Sequence, residues 1–216
     1  VKTAPRTDRG RAAVAGILDA ACASFAARGV RATTLDAVGA AAGVGRGQLY
    51  HYFRDKDDLV AEVVAAQVEK LLAPLNPLIA GMSRVEDLRT WCAESVARYA
   101  GVDAGEAIRC PLGSLIIELD GEHAAARVAL QAGFSRWQDM LAGALSRIAA
   151  RGELAPGLNP DAVASALLAA YQGGVLLADL HRDVDHLSRA LHVVVDAVGL
   201  PGRTEFGAAA APRSAR

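Results

Sequence analysis

With 216 residues, 52% of them apolar, the chain is long enough for one large domain or two small ones and can bury a sizeable core. No uncharged apolar run reaches 18 residues and no charged-then-apolar leader with a cleavage site opens the chain, so neither a membrane span nor a secretion signal is expected. Cys22, Cys92 and Cys110 are odd in number and widely spaced, which excludes a CxxC or four-cysteine zinc motif, argues against a disulfide framework and points to a reducing cytoplasm. The net charge of −1 is unevenly spread: nine Lys and Arg against six Asp give residues 1–58 a charge of +3, and the remainder carries −4. A basic head on an acidic body fits nucleic-acid contact confined to one end.

In chain order, residues 1–10 read as a polar, basic, loose arm. Val14, Ile17, Leu18, Ala21, Cys22 and Phe25 then recur at steps of three and one, the apolar stripe of a helix. Gly29 is placed to stop it with a left-handed residue. A second helix starts at Thr33 or Thr34, with Thr33 as N-cap and Asp36 completing a capping-box-like pair. Its inner face is Leu35, Val38, Gly39 and Ala42, and Gly43 ends it. A third runs from Arg46 to about Phe53. Asp55 caps a fourth, which Pro74 and Pro77 are expected to end or kink.

Ser83 with Glu86 starts a fifth helix to about Ala100. Cys110-Pro111-Leu112-Gly113 is a break before a short helix to Leu119. A long amphipathic segment runs from about Glu122 to Ala150. Asn159-Pro160 caps a strongly apolar helix to about Leu180, and a last helix covers about Asp185 to Val198. The Ala-, Gly-, Pro- and Arg-rich tail from Pro201 is expected to be disordered. The class is all-α. A homodimer is expected through the last two helices, from Val163, Leu167, Leu168, Val175 and Leu176 on one and Leu187, Leu191, Val194 and Val195 on the other.

The informative stretch is Thr33 to Leu59. Two short helices flank a Gly-Val turn, and the second has few apolar anchors: Leu49 and Phe53 face inward with Tyr50 adjoining them. Arg46, Gly47, Gln48, His51 and Tyr52 are left facing outward. Arg can bond guanine and Gln adenine or phosphate in a major groove. Gly47 permits close backbone approach, and the helix N-terminus favours a phosphate.

The run Ile17-Leu18-Asp19-Ala20-Ala21, Phe25, Gly29, Thr33-Thr34, Ala41-Ala42-Gly43-Val44, Gly47, Leu49-Tyr50-His51-Tyr52-Phe53, Lys56 and Leu59 resembles, without a gap, the DNA-binding head of the tetracycline-repressor family. The resemblance implies an all-helical homodimer of about nine helices with a three-helix head. It also implies a palindromic double-stranded DNA operator and a small-molecule effector as partners. By position, it places Thr33 and Thr34 on phosphates and Arg46, Gln48 and His51 on bases. Tyr50, Tyr52 and Lys56 would hold the DNA backbone. Gly45 departs from the family, which usually has Ser or Thr there. Cys110-Pro111-Leu112-Gly113-Ser114-Leu115 with Glu118-Leu119, and Tyr171-Gln172-Gly173-Gly174, further resemble the subgroup of lincomycin-resistance-type repressors.

On these grounds residues 1–54 are expected to bind DNA, 55–200 to bind ligand and dimerise, and 201–216 to form the tail. Trp91, Cys92, Ser95 and Tyr99 form one stripe; Phe134, Trp137, Gln138 and Leu141 a second; Tyr171 and Gln172 a third. Each alone is ordinary core. Together, with Leu115, they describe a pocket with aromatic walls and a few polar groups. Glu118 is either a surface position or a ligand anchor. His51, His123, His181, His186 and His192 are too scattered for a metal site, and Cys92 and Cys110 read as structural thiols before a redox pair. No Walker loop, G-x-G-x-x-G, H-E-x-x-H or nucleophile elbow occurs, and Gly43-x-Gly45-x-Gly47 lacks the strand a phosphate loop needs. No catalysis, cofactor, metal or membrane partner is therefore expected. The reading is a ligand-responsive DNA-binding repressor in the cytoplasm. The alternative is a small-molecule-binding protein or enzyme that keeps the helix-turn-helix only as scaffold.

Overall fold

A computed structural model describes residues 5–101, 107–119 and 123–199; at 111, 114, 117 and 118 only the backbone is described. Tail residues 201–216 and the side chain of Glu118 lie outside what is described. Nine helices and no strand occur among the described residues: α1 Asp8–Ala32, α2 Leu35–Ala41, α3 Arg46–Tyr52, α4 Lys56–Gly81, α5 Val85–Ala100, α6 Pro111–Glu118, α7 Ala124–Ala150, α8 Pro160–His181 and α9 Asp185–Val198.

Helix starts follow the capping chemistry. The Thr7 hydroxyl accepts from Gly10 N at 3.1 Å, so α1 begins at Asp8 and the loose arm is shorter than expected. Gly29, at φ +78°, breaks α1 as predicted, and one further turn follows it. Asp55 accepts from Asp58 N at 2.8 Å, and Asn159 accepts from Asp161 N and Ala162 N ahead of Pro160. Helix α5 starts one residue later than expected. The Asp87 carboxylate, not Glu86, takes the Ser83 and Arg84 N–H groups at 2.9 Å.

Pro74 and Pro77 do not end α4, which continues to Gly81. Each proline removes one bond to the carbonyl four residues back. Those carbonyls belong to Lys70 and Ala73, which like both prolines are exposed, so water can satisfy them. The buried stripe Val68, Leu72, Leu75, Ile79 runs straight through the prolines. Arg147 closes the far end, donating to the Ile79 and Met82 carbonyls at 2.8 Å.

Helices α1–α3 form the head and α4–α9 the body. In the body α4 packs on α7, α7 on α8, α8 on α9 and α5 on α9, while α1 meets α4. By length and composition α1, α4 and α8 could each cross a membrane. Charged residues interrupt or bound each apolar stretch before it reaches 18 residues, and each helix buries one stripe against its neighbours.

Close helix contacts depend on glycine. A Cβ on Gly174 of α8 would stand 2.8 Å from Leu187 Cα, a backbone atom that cannot yield without moving α9. Gly174→Ala is expected to destabilise the protein by about 1–3 kcal/mol through overpacking. In α7, Gly143 has only an ordinary 3.7 Å contact to Arg147, so Gly143→Ala is expected to stabilise by about 0.5–1 kcal/mol. Urea unfolding of both variants checks the pair; stabilisation by Gly174→Ala would contradict the packing.

Candidate DNA-binding and effector sites

The head is built around a turn. Gly43 at φ +67° reverses the chain, with Gly43 N donating to Ala40 O and Val44 N to Gly39 O. A Cβ at Gly39 would meet Leu49 Cδ2 at 3.3 Å, so glycine there lets α3 cross α2 closely. Leu49 and Phe53 are fully buried beneath α3. Above them Arg46, Gly47, Gln48 and His51 are exposed. The Arg46 guanidinium lies 5.5 Å over the Tyr50 ring and 3.6 Å from the Asp36 carboxylate. These weak surface contacts hold it extended while leaving its fork free to change partners.

Two expected contacts are corrected. Thr33 is buried, and its hydroxyl donates to Gly29 O at 2.9 Å and Ser24 O at 3.3 Å, binding the end of α1 rather than a phosphate. The N-cap of α2 is Thr34, exposed, whose hydroxyl accepts from Ala37 N at 3.2 Å. Tyr52, expected outside, is buried, with its ring edge-on to His51 at 4.9 Å. Tyr50 takes the half-buried rim instead.

Lys56 opens α4, and its ammonium donates to Arg31 O at 3.0 Å, using one of three protons. Arg54 sits beside it. Burial opposes ionisation of its partner Asp58, yet hydrogen bonds from the Arg54 N–H and guanidinium prevail and hold that carboxyl below its ordinary range. One residue before it, Asp57 shares a 2.8 Å hydrogen bond with the ring of buried His123, at the start of α7. The first turn of α4 therefore grips both the head and the body.

Gly45 caps α3 without a side-chain bond at an ordinary φ of −70°, and a Cβ there meets open space. Gly45→Ser is expected to raise stability by a few tenths of a kcal/mol and to tighten DNA binding modestly by adding a hydroxyl at the helix start. Thermal melting and fluorescence anisotropy check it; weaker binding would contradict it.

In the body the predicted aromatics do meet. Tyr171 lies 5.1 Å from Trp137, 6.2 Å from Trp91 and 6.5 Å from Tyr99, and Phe134 stacks on Trp137 at 6.4 Å. The Tyr99 and Tyr171 hydroxyls share a 3.1 Å bond. The cluster is packed rather than open. Trp91, Cys92, Ser95, Trp137, Leu141 and Tyr171 are buried core, and the indole N–H groups of Trp91 and Trp137 have no partner among the described residues. Burial pushes the Cys92 thiol up to about 12, which favours its protonated form. No group of three or more candidate metal ligands occurs among the described residues.

The open space flanks the cluster. A cavity of about 470 Å³ lies between residues 108–116 and α8, with Cys110 and Gln172 inside. A second, of about 320 Å³, lies between α6 and α7 and takes in Phe134 and Gln138. Of the predicted pocket residues, only Gln172, Phe134 and Gln138 border these spaces. Leu115 and Tyr99 are half-buried and line neither. Sequence reasoning missed Ile108, Cys110, Ile116 and Arg127, which line the cavities. The Cys-Pro-Leu-Gly break was the one available signal.

A buried-anchor recognition helix on a three-helix head, joined by a long helix to a separate body, defines a helix-turn-helix DNA-binding regulator. A family model described as "Bacterial regulatory proteins, tetR family" matches residues 17–63, and one described as "Tetracyclin repressor-like, C-terminal domain" matches residues 84–194. The chain belongs to the TetR family of transcriptional regulators and is not an enzyme. It is 30% identical to the transcriptional regulator AcuR of Cereibacter sphaeroides over 165 residues, 74% of this chain and 73% of that one. It is 34% identical to the repressor KstR2 of Rhodococcus jostii over 88 residues, 41% of this chain and 42% of that one, so this match spans less than half of that relative. Among solved structures, the SmeT–triclosan complex superposes with a TM-score of 0.70 at 28% identity, covering 88% of this chain and 93% of that one. SmeT is the repressor of a Stenotrophomonas maltophilia multidrug efflux pump.

Proposed function

We propose that the protein is a cytoplasmic homodimeric repressor that leaves a palindromic operator when a small molecule binds its body. Residues 1–54 bind DNA, and residues 55–200 sense the effector and dimerise. The observation that carries this reading is the exposed Arg46, Gln48 and His51 on a helix anchored from beneath by fully buried Leu49 and Phe53. Arg46, Gln48 and His51 read bases; Thr34, Tyr50 and Lys56 hold phosphates.

The dimer forms through α8 and α9, although of the residues expected from periodicity only Leu176 is fully exposed. Val163, Leu167, Leu168, Val175, Leu187, Leu191 and Val195 are spent inside the protomer. Leu176, Leu177, Leu180 and Val193 remain exposed on those helices, at 63, 42, 71 and 70%, and are available to a second copy. Effector binding shifts α4, whose first turn holds Arg31 of the head and His123 of the body, so the two heads lose the spacing of successive major grooves.

A mobility-shift assay with DNA flanking the protein's own gene tests the reading. A retarded band that resists nonspecific competitor, and is released by an effector that also changes Trp fluorescence, is expected. Binding that competitor removes completely would contradict it.

A further inference from the structure

On the face of α8 that points away from its own protomer, the only charged residue between Ala162 and Leu180 is Asp179, half-buried at its edge. Ser165, Ala166, Ala169, Leu176, Leu177 and Leu180 are exposed along it. Small residues in its first half let a second helix approach closely, and leucines in its second half supply the apolar area. On neighbouring α9, Val193 and Ala197 are exposed beside half-buried Ala190. A contiguous apolar surface of this length marks an interface, and a two-fold dimer uses one patch twice.

The larger cavity opens onto this same face. Leu176 is one of its lips, and Ile116 of α6, 47% exposed, is the other. Both are apolar side chains facing outward from a single protomer, so one wall of the cavity is missing. A second copy laid on Leu176, Leu177 and Leu180 supplies it.

The interior limits the ligand. Ile108, Ile116, Val175 and Leu176 give it apolar walls. At the floor Gln172 Nε2 donates to Cys110 Sγ at 3.4 Å. Sulfur is a weak acceptor, so a ligand carbonyl or hydroxyl oxygen would take that N–H in its place. The charged rim is already paired: Asp179 accepts from Ile108 N at 2.9 Å and Arg182 at 3.3 Å, and faces Arg109 at 3.8 Å. We infer that the effector cavity is completed only in the dimer, roofed by the partner subunit's α8–α9 face, and takes a small, uncharged, mainly apolar molecule bearing one hydrogen-bond acceptor. This rests on the homodimeric ligand-responsive reading above.

The test uses N-phenyl-1-naphthylamine, an uncharged dye that brightens in apolar surroundings, with the full-length protein. Wild type is expected to bind it saturably, and Ile116→Trp, which crowds the mouth of the cavity, to remain dimeric and lose at least tenfold in affinity. Leu180→Glu, outside the cavity lining, is expected to sediment as a monomer with unchanged helical circular dichroism and to lose at least tenfold too. Dilution of wild type provides the same test without a substitution: dye bound per protomer falls in step with the dimer fraction. The inference is overturned if wild type shows no saturable binding, if the monomer keeps Ile116-dependent binding, if Leu180→Glu stays dimeric, or if dye binding ignores dissociation on dilution. Wild-type operator binding is scored separately by mobility shift, so these failures leave the DNA-binding reading intact.

Discussion

Replacing Leu177 and Leu180 together by glutamate is expected to turn the dimer into a monomer and to weaken operator binding by roughly 10²–10⁴-fold. Both side chains are exposed and stand on the outward, mainly apolar face of α8, so neither substitution disturbs the protomer core. Four carboxylates would be brought together across the two-fold axis, where ions have no partners and little water. A single head then reaches only one half-site and loses the gain that comes from holding the second head beside its target. Sedimentation velocity and anisotropy on the same samples check both parts. An intact dimer would place the interface elsewhere, and a monomer with undiminished operator affinity would remove the need for two heads.

Arg46→Ala is expected to cost about 1–3 kcal/mol per half-site on the operator, roughly 5- to 150-fold, and much less on scrambled DNA. Its surface contacts to Asp36 and Tyr50 are weak enough to surrender for a guanine, and losing them costs the fold little. Lys56→Ala is expected to behave differently. Its ammonium is a point charge on the rim of the head, so its loss should weaken all sequences about equally and lower the salt slope by about 1 per half-site, about 2 for the dimer. Titrations of operator and scrambled duplex over a salt series separate the two. If Arg46→Ala weakens both duplexes equally, its base-reading role is wrong; if neither variant changes binding, α3 is not the recognition helix.

The helical architecture was legible because capping residues announce themselves. Asp55, Asn159-Pro160, Gly29 and Gly43 each act where the sequence places them. Adjacent equivalents were not separable. Thr33 and Thr34 are chemically alike, and only the fold decides which is swallowed beneath α1 and which caps α2. Tyr50 and Tyr52 posed the same difficulty, since seven residues make two turns and leave the face of each ring open until Leu49 and Phe53 are seated. The prolines of α4 misled for another reason. Their cost falls on exposed carbonyls, whereas the stripe from Val68 to Ile79 persists and was the better signal. In the body, aromatic residues reported where volume is large, not where it is missing. The larger cavity arises instead beside Gly113 and Gly173, where no side chain is available to fill space.

Two α3 helices, related by a two-fold axis, are expected to read a specific duplex. Selection of the wild-type protein against a library of randomised double-stranded DNA tests it most directly. Enrichment of a pseudo-palindrome whose half-sites are centred about one helical turn apart, or somewhat more, is predicted. A selected pool indistinguishable from the starting library, or one dominated by a single unsymmetrical site, would contradict it.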